Sequence, residues 1–321
     1  MDRIWTIAAD GSGMYRSIQA AVDALPDIPE EERVIFQIAP GTYREKIWFS
    51  RPNVTFRGTS PEEVVIVWND GSDVLDENGQ PMGTQRTATL HVEGDGLRLE
   101  NLTIQNDYGY GRNEGRFCGQ AIAAALEADR AVVLNCRFLG SQDTLYVGTC
   151  GLGHRQYYKD CYILGDVDFI FGGGNIYFEH CTIESIDRGN NFTVEDVEGT
   201  FNGYLTAASS TEEEIGFVFQ DCDLISSAAP GSVYLGRPWK NHCAVTFLNC
   251  RMGAHIHPAG WAKWRREQHH LYCRYAEYNS MGPGASPDTR CEFSRQLDRN
   301  EALGYSLSRV LGGEDLWDPR Y

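Results

Sequence analysis

At 321 residues and 36.0 kDa the chain is about twice an ordinary domain, long enough for two domains or for one large β or repeat domain. Hydrophobic residues make up 42% and charged residues 23%, with 34 Gly against 12 Pro, a folded composition that excludes disorder as the main state. A formal charge of −17 repels polyanions and sets nucleic acid aside as a partner, and no run approaches ~18 uninterrupted apolar residues, which sets aside a membrane-spanning helix.

The N-terminus, Met1 to Thr6, lacks the basic-then-apolar design of a secretory signal. If Met1 is the natural start, a cytoplasmic protein with reduced thiols is expected; a signal already removed would make it a secreted one. Ser17 to Leu25 places apolar side chains at 18, 21, 22 and 25, which predicts an amphipathic helix suited to cap the end of a repeat.

A phrase then recurs, first in outline at Asn53-Val54-Thr55-Phe56. It is clearest in Arg98-Leu-Glu-Asn101-Leu-Thr-Ile, Val132-Val-Leu-Asn135-Cys136-Arg-Phe and Tyr157-Tyr-Lys-Asp160-Cys161-Tyr-Ile. It returns around His180-Cys181, Asp221-Cys222 and Asn249-Cys250. Each copy reads strand, bend, strand, and helical spacing fits none. The cysteines follow one another at 25, 20, 41 and 28 residues, a period in the solenoid range if the interval of 41 holds two turns. In a β solenoid such cysteines stack with parallel Cβ directions, which predicts a buried thiol column rather than disulfides, and no C-x-x-C pair points to zinc. The tail from about 268 is rich in Tyr and Arg, with a short helix expected over 295–303. One domain over 1–321 is the simplest organisation: strand and cap to about 30, coils over about 31–267, then a C-terminal extension.

Several catalytic signatures are absent: no G-x-S-x-G, no H-E-x-x-H and no phosphate-binding loop. His255, His257, His269 and His270 read as packing or surface residues. What stands out is a pair of acidic turns. Gly140-Ser-Gln142-Asp143-Thr-Leu-Tyr146 and Gly165-Asp-Val-Asp168-Phe-Ile-Phe-Gly172 follow equivalent strands, and Asp143 and Asp168 are separated by the same 25 residues as Cys136 and Cys161. Stacked coils bring the two carboxyls close, where they cannot ionise independently, so one becomes an acid and the other a nucleophile or base. Asp also caps turns, and each taken alone would read that way. Gln120, Gln142 and the distant Arg237 favour the catalytic reading.

These residues closely resemble the pectin methylesterases, carbohydrate esterases, over nearly the whole chain. The phrases are Gly41-Thr-Tyr-Arg-Glu45, Gly119-Gln120-Ala-Ile-Ala, Gln142-Asp143-Thr-Leu-Tyr146, Asp168-Phe-Ile-Phe-Gly172, Leu235-Gly-Arg237-Pro-Trp239 and Pro258-Ala-Gly-Trp261. The resemblance implies an all-β fold, a single-stranded right-handed parallel β-helix with an N-terminal capping helix and a C-terminal extension of loops and short helices. It implies hydrolysis of the methyl esters of pectin or methylated oligogalacturonides, with no cofactor and no metal, by a monomer. Asp168, paired with Arg237, is the expected nucleophile, Asp143 the acid and then base, and Gln142 with Gln120 the oxyanion donors. Thr84, Gln120, Phe171, Arg237, Trp239 and Trp261 are expected to meet substrate. Arg112 and Arg116 are candidates for its free carboxylates, or plain solvated surface. Gly148 to Arg155 is longer than the family's usual connection and is expected to form a looser loop. A pectate lyase or polygalacturonase on the same solenoid, and a non-catalytic carbohydrate-binding β-helix, are the competing readings.

Overall fold

The computed structural model describes residues 2–108, 119–189, 194–196, 199–265 and 267–321. Three stacked parallel sheets make up the body. The first has eleven strands, from Arg3–Ile7 to Ser294–Gln296; the second has seven and the third eight. Strands in each sheet are joined to the coil before and after by parallel pairing, which is the parallel β-helix expected. The first sheet extends beyond 31–267 at both ends, because Arg3–Ile7 pairs with Val34–Ile38, and Arg274–Tyr278 pairs with both Ala244–Leu248 and Ser294–Gln296.

The bends explain the recurring phrase. Asn53, Asn101, Asn135, Asp160, His180, Asp221, Asn249 and Asn279 all have φ between 50° and 59°. Asn and Asp, and to a lesser degree His, tolerate this left-handed backbone better than branched residues. From Asn101 to Asn249 each one turns the chain from the first sheet into the third, whereas Asn53 leads from the second sheet into the first and Asn279 follows the first-sheet strand Arg274–Tyr278. Some also bond along the stack: Asn135 Nδ2 donates to Asn101 Oδ1 at 2.8 Å, and Asn279 Nδ2 to Asn249 Oδ1 at 2.9 Å.

The residue after the bend points inward. Cys136, Cys161, Cys181, Cys222 and Cys250 are all buried free thiols, and each donates to a backbone carbonyl, such as Cys161 to Lys159 at 3.3 Å. Beside them runs an aromatic stack. Ring centroids of Tyr158 and Phe178 are 4.7 Å apart, Phe178 and Phe219 4.5 Å, and Phe219 and Phe247 4.6 Å. Each such pair contributes ~0.5–1.5 kcal/mol beyond its burial.

The interval of 41 residues is one coil, not two. Asn175–Glu179 pairs directly with Phe217–Gln220, with Ile176 opposite Phe217. The extra length goes into an excursion after Thr182–Ser185 that includes an antiparallel pair, Val194–Asp196 with Gly199–Phe201. A spacing near twice the period cannot tell a missing repeat from an insertion.

At the start, Ile18–Asp23 is helical, with Ser17 as its N-cap and Ile18, Ala21 and Val22 buried. Near the end, the expected helix over 295–303 is shorter. Ser294–Gln296 is a strand, and the helix begins at Arg299 behind Asp298, whose side chain closes a capping box with Glu301. The loop after Gly148 is anchored rather than loose, since Gly151 and Gly153 N–H both donate to Glu214 Oε1 at 3.1 Å.

Candidate active site

The candidate catalytic residues gather at the second sheet. Leu145–Val147 and Val167–Gly172 pair with Leu145 opposite Ile170, a register offset of 25 that sets Asp143 and Asp168 on adjacent coils. Both take left-handed backbone, with φ 63° and 51°, so each carboxyl leaves a bend instead of following the strand. Both are buried, at 4% and 5% exposure.

Their partners differ. Arg237 grips Asp168 with a two-pronged ion pair, Nε to Oδ1 at 2.9 Å and Nη2 to Oδ2 at 2.7 Å. Among the described residues Asp143 makes no ion pair, and it accepts from Gln120 Nε2 at 2.8 Å. Burial holds its carboxyl well above the usual carboxylate range and the charge of Asp168 pushes the same way, against the Gln120 hydrogen bond and Arg237. One carboxyl thus sits in a guanidinium fork while burial and a neighbouring charge raise the pKa of the other.

Gln120 is fixed in turn by Thr84, whose hydroxyl donates to Gln120 Oε1 at 2.7 Å. Thr84 therefore orients an amide within the site. The Gln142 side chain is half-buried next to Asp143 and has no hydrogen bond among the described residues, which leaves its amide N–H groups open to a bound oxygen.

Arg237 follows the strand Val233–Gly236, and its N–H bonds Thr206 O at 3.0 Å. Gly236 must be glycine, because a Cβ there would lie 2.0 Å from Thr206 Oγ1. The guanidinium is sandwiched between aromatic rings, with its carbon 4.1 Å from the Tyr204 centroid and 4.3 Å from that of Trp264. Trp239 is half-buried on the same face, 5.9 Å from Phe171, which is 4.9 Å from Tyr146. Phe171 is only 4% exposed, so it backs Trp239 rather than offering a free face.

Trp261 does not belong to this wall. It is 1% exposed and stacks on Tyr275 inside the solenoid at 4.0 Å. Trp261 bridges to Gly236 and faces the core, while Trp264, three residues on, turns outward over Arg237. The phrase Trp261-Ala-Lys-Trp264 held both rings, and sequence alone did not show which faced in. Tyr204, and a further buried carboxyl at Asp166 with Arg188 Nη1 3.6 Å away, were also not singled out. Burial raises the Asp166 pKa and Arg188 opposes the rise. Arg112 and Arg116 lie outside the described residues.

For a metal, His91, Glu93 and Glu127 among the described residues hold ligand atoms within 4.8 Å of one another. His91 Nε2 already meets Glu127 Oε1 at 2.9 Å, and the group lies apart from Asp143 and Asp168, three coils along the sheet from Phe171.

The pectinesterase family model matches residues 5–314. The chain belongs to the pectinesterase family. This makes it a carboxylic ester hydrolase. Pectinesterase 31 of Arabidopsis thaliana is 36% identical over 309 residues, covering 94% of this chain and 89% of that protein. Among solved structures, a pectin methylesterase in complex with a hexasaccharide superposes with a TM-score of 0.84 at 27% identity, covering 99% of each chain. The carrot pectin methylesterase superposes at 0.80 with 27% identity, covering 97% of this chain and 93% of the other.

Proposed function

We propose that this pectinesterase-family enzyme removes methyl groups from galacturonosyl esters of pectin or methylated oligogalacturonides through an acyl-enzyme on Asp168. The observation that carries the reading is the unequal pair: one buried carboxyl in a bidentate guanidinium fork, and a buried neighbour that accepts only from the Gln120 amide among the described residues and whose pKa is raised. The oligosaccharide complex of a structural relative and the outward aromatic wall support a sugar chain as substrate.

An oxygen of Asp168 attacks the ester carbonyl carbon, and the carbonyl electrons move onto its oxygen. Gln142 donates to that oxyanion. As the intermediate collapses, the C–O bond to the methoxy group breaks and Asp143 gives its proton to the departing methanol, leaving a mixed anhydride. Water then attacks the anhydride and gives one proton to Asp143; the bond to Asp168 breaks, restoring its carboxylate, and the galacturonic acid leaves and loses its remaining proton to solvent. Gln120 has one N–H committed to Asp143 and so serves first to place the acid. The second N–H has no partner among the described residues and is placed to assist Gln142.

Gln142→Ala is expected to lower kcat by ~10²–10³-fold with KM little changed, the cost of one lost oxyanion donor. Steady-state kinetics on methylated oligogalacturonides test this, and a change confined to KM would remove Gln142 from that role. The pH profile tests Asp143. Its pKa lies above the ordinary carboxylate value, so the required proton is present below the raised pKa and lost as pH rises through it. Activity must therefore fall on the alkaline side; a kcat still climbing there would assign the proton to another group.

A further inference from the structure

The register column that holds Phe171 and Tyr146 continues along the solenoid. In successive coils Trp48 stands opposite His91, His91 opposite Ala125, Ala125 opposite Tyr146 and Tyr146 opposite Phe171, a single outward column. Its far end is open: Trp48 is 56% exposed, whereas Tyr146 and Phe171 are covered. Beside Trp48 lies a cavity of ≈350 Å³, mostly apolar, with Lys46, Gln85, Arg86 and His91 at its edges. Gln85 of its lining directly follows Thr84, the residue that orients Gln120, so one short segment borders both the cavity and the site.

We propose that Trp48 is a remote substrate subsite that stacks on a sugar unit of the same chain whose ester is being cleaved beside Asp168. This rests on the pectinesterase reading above. Four steps separate Trp48 from Phe171, and one step, about 4.8 Å, is close to the length of one extended pyranose unit, so the occupant lies about four units along the chain. An exposed indole face with polar edges suits a pyranose ring, which has apolar faces and hydroxyl rims. The charges select its form. Lys46 is neutralised by Asp70 at 2.5 Å and Arg86 by Asp76 at 3.0 Å, while His91 stands between Glu93 at 3.6 Å and Glu127 at 2.9 Å. Unpaired negative charge there repels a free carboxylate, and the unit over Trp48 is one still methylated. Long methylated chains gain from this contact and short ones cannot reach it.

Trp48→Ala and Trp48→Phe, compared with wild type on highly methylated pectin and on a methylated trigalacturonide, test the subsite. The Ala variant is expected to lose about five- to tenfold in kcat/KM on pectin, through KM, and nothing on the trigalacturonide, with Phe restoring most of the loss. Equal effects on both substrates, or none on pectin, would overturn the subsite while leaving the esterase reading intact. No methanol from either substrate with wild-type protein would overturn both.

Discussion

Asp168→Asn is expected to reduce ester hydrolysis by at least ~10⁴-fold while leaving a folded protein that still binds pectin. The amide keeps the shape and one acceptor for Arg237 but has no electron pair able to form the anhydride. Its neighbour changes as well: with the Asp168 charge gone, one of the three influences that raise the Asp143 pKa disappears, while burial and the nearby Asp166 still act to keep it up. Loss of turnover therefore reflects the missing nucleophile and not a missing acid. Methanol release, measured beside circular dichroism and pectin binding, checks this, and substantial residual turnover would place the nucleophile elsewhere.

Arg237→Ala is expected to damage both stability and rate. The guanidinium is buried with the Asp168 carboxylate, and removing one member of such a pair leaves the other charge unmatched, at a cost of ~3–5 kcal/mol. The variant also empties the slot between Tyr204 and Trp264. With Asp168 no longer oriented, kcat should fall by ~10²–10³-fold even where the protein remains folded. Arg237→Lys should recover part of the stability and little of the rate, since an ammonium keeps the charge but cannot reproduce the fork. Denaturant unfolding of the two variants separates these effects; an Ala variant as stable as wild type would mean that the ion pair contributes nothing net.

Much of this architecture was legible because repetition makes position meaningful. The Asn, Asp or His before each inward residue marks a left-handed bend, and equal spacing of Cys136 to Cys161 and Asp143 to Asp168 places the two carboxyls on adjacent coils before any coordinate is seen. The partners of those carboxyls depend on long-range approach. Arg237 lies 69 residues from Asp168, and only the resemblance pointed to their pairing. Where reading failed, the local pattern was degenerate. An interval of 41 residues fits two coils as well as one coil with an excursion, and Trp261 and Trp264 differ only in which way the backbone turns them. The Gly-rich stretch after Gly148 reads as loose, yet it is held by Glu214, a residue more than 60 positions away. Thr84 has a second role that the sequence did not show, since its hydroxyl donates to the Gln120 side chain.

The central claim is ester cleavage without chain cleavage. The most direct measurement is methanol release from highly methylated pectin in EDTA, with unsaturated products and new reducing ends followed in the same samples. The account predicts methanol with neither unsaturation nor new ends. New ends or unsaturated products without methanol would make the protein a depolymerase and contradict it.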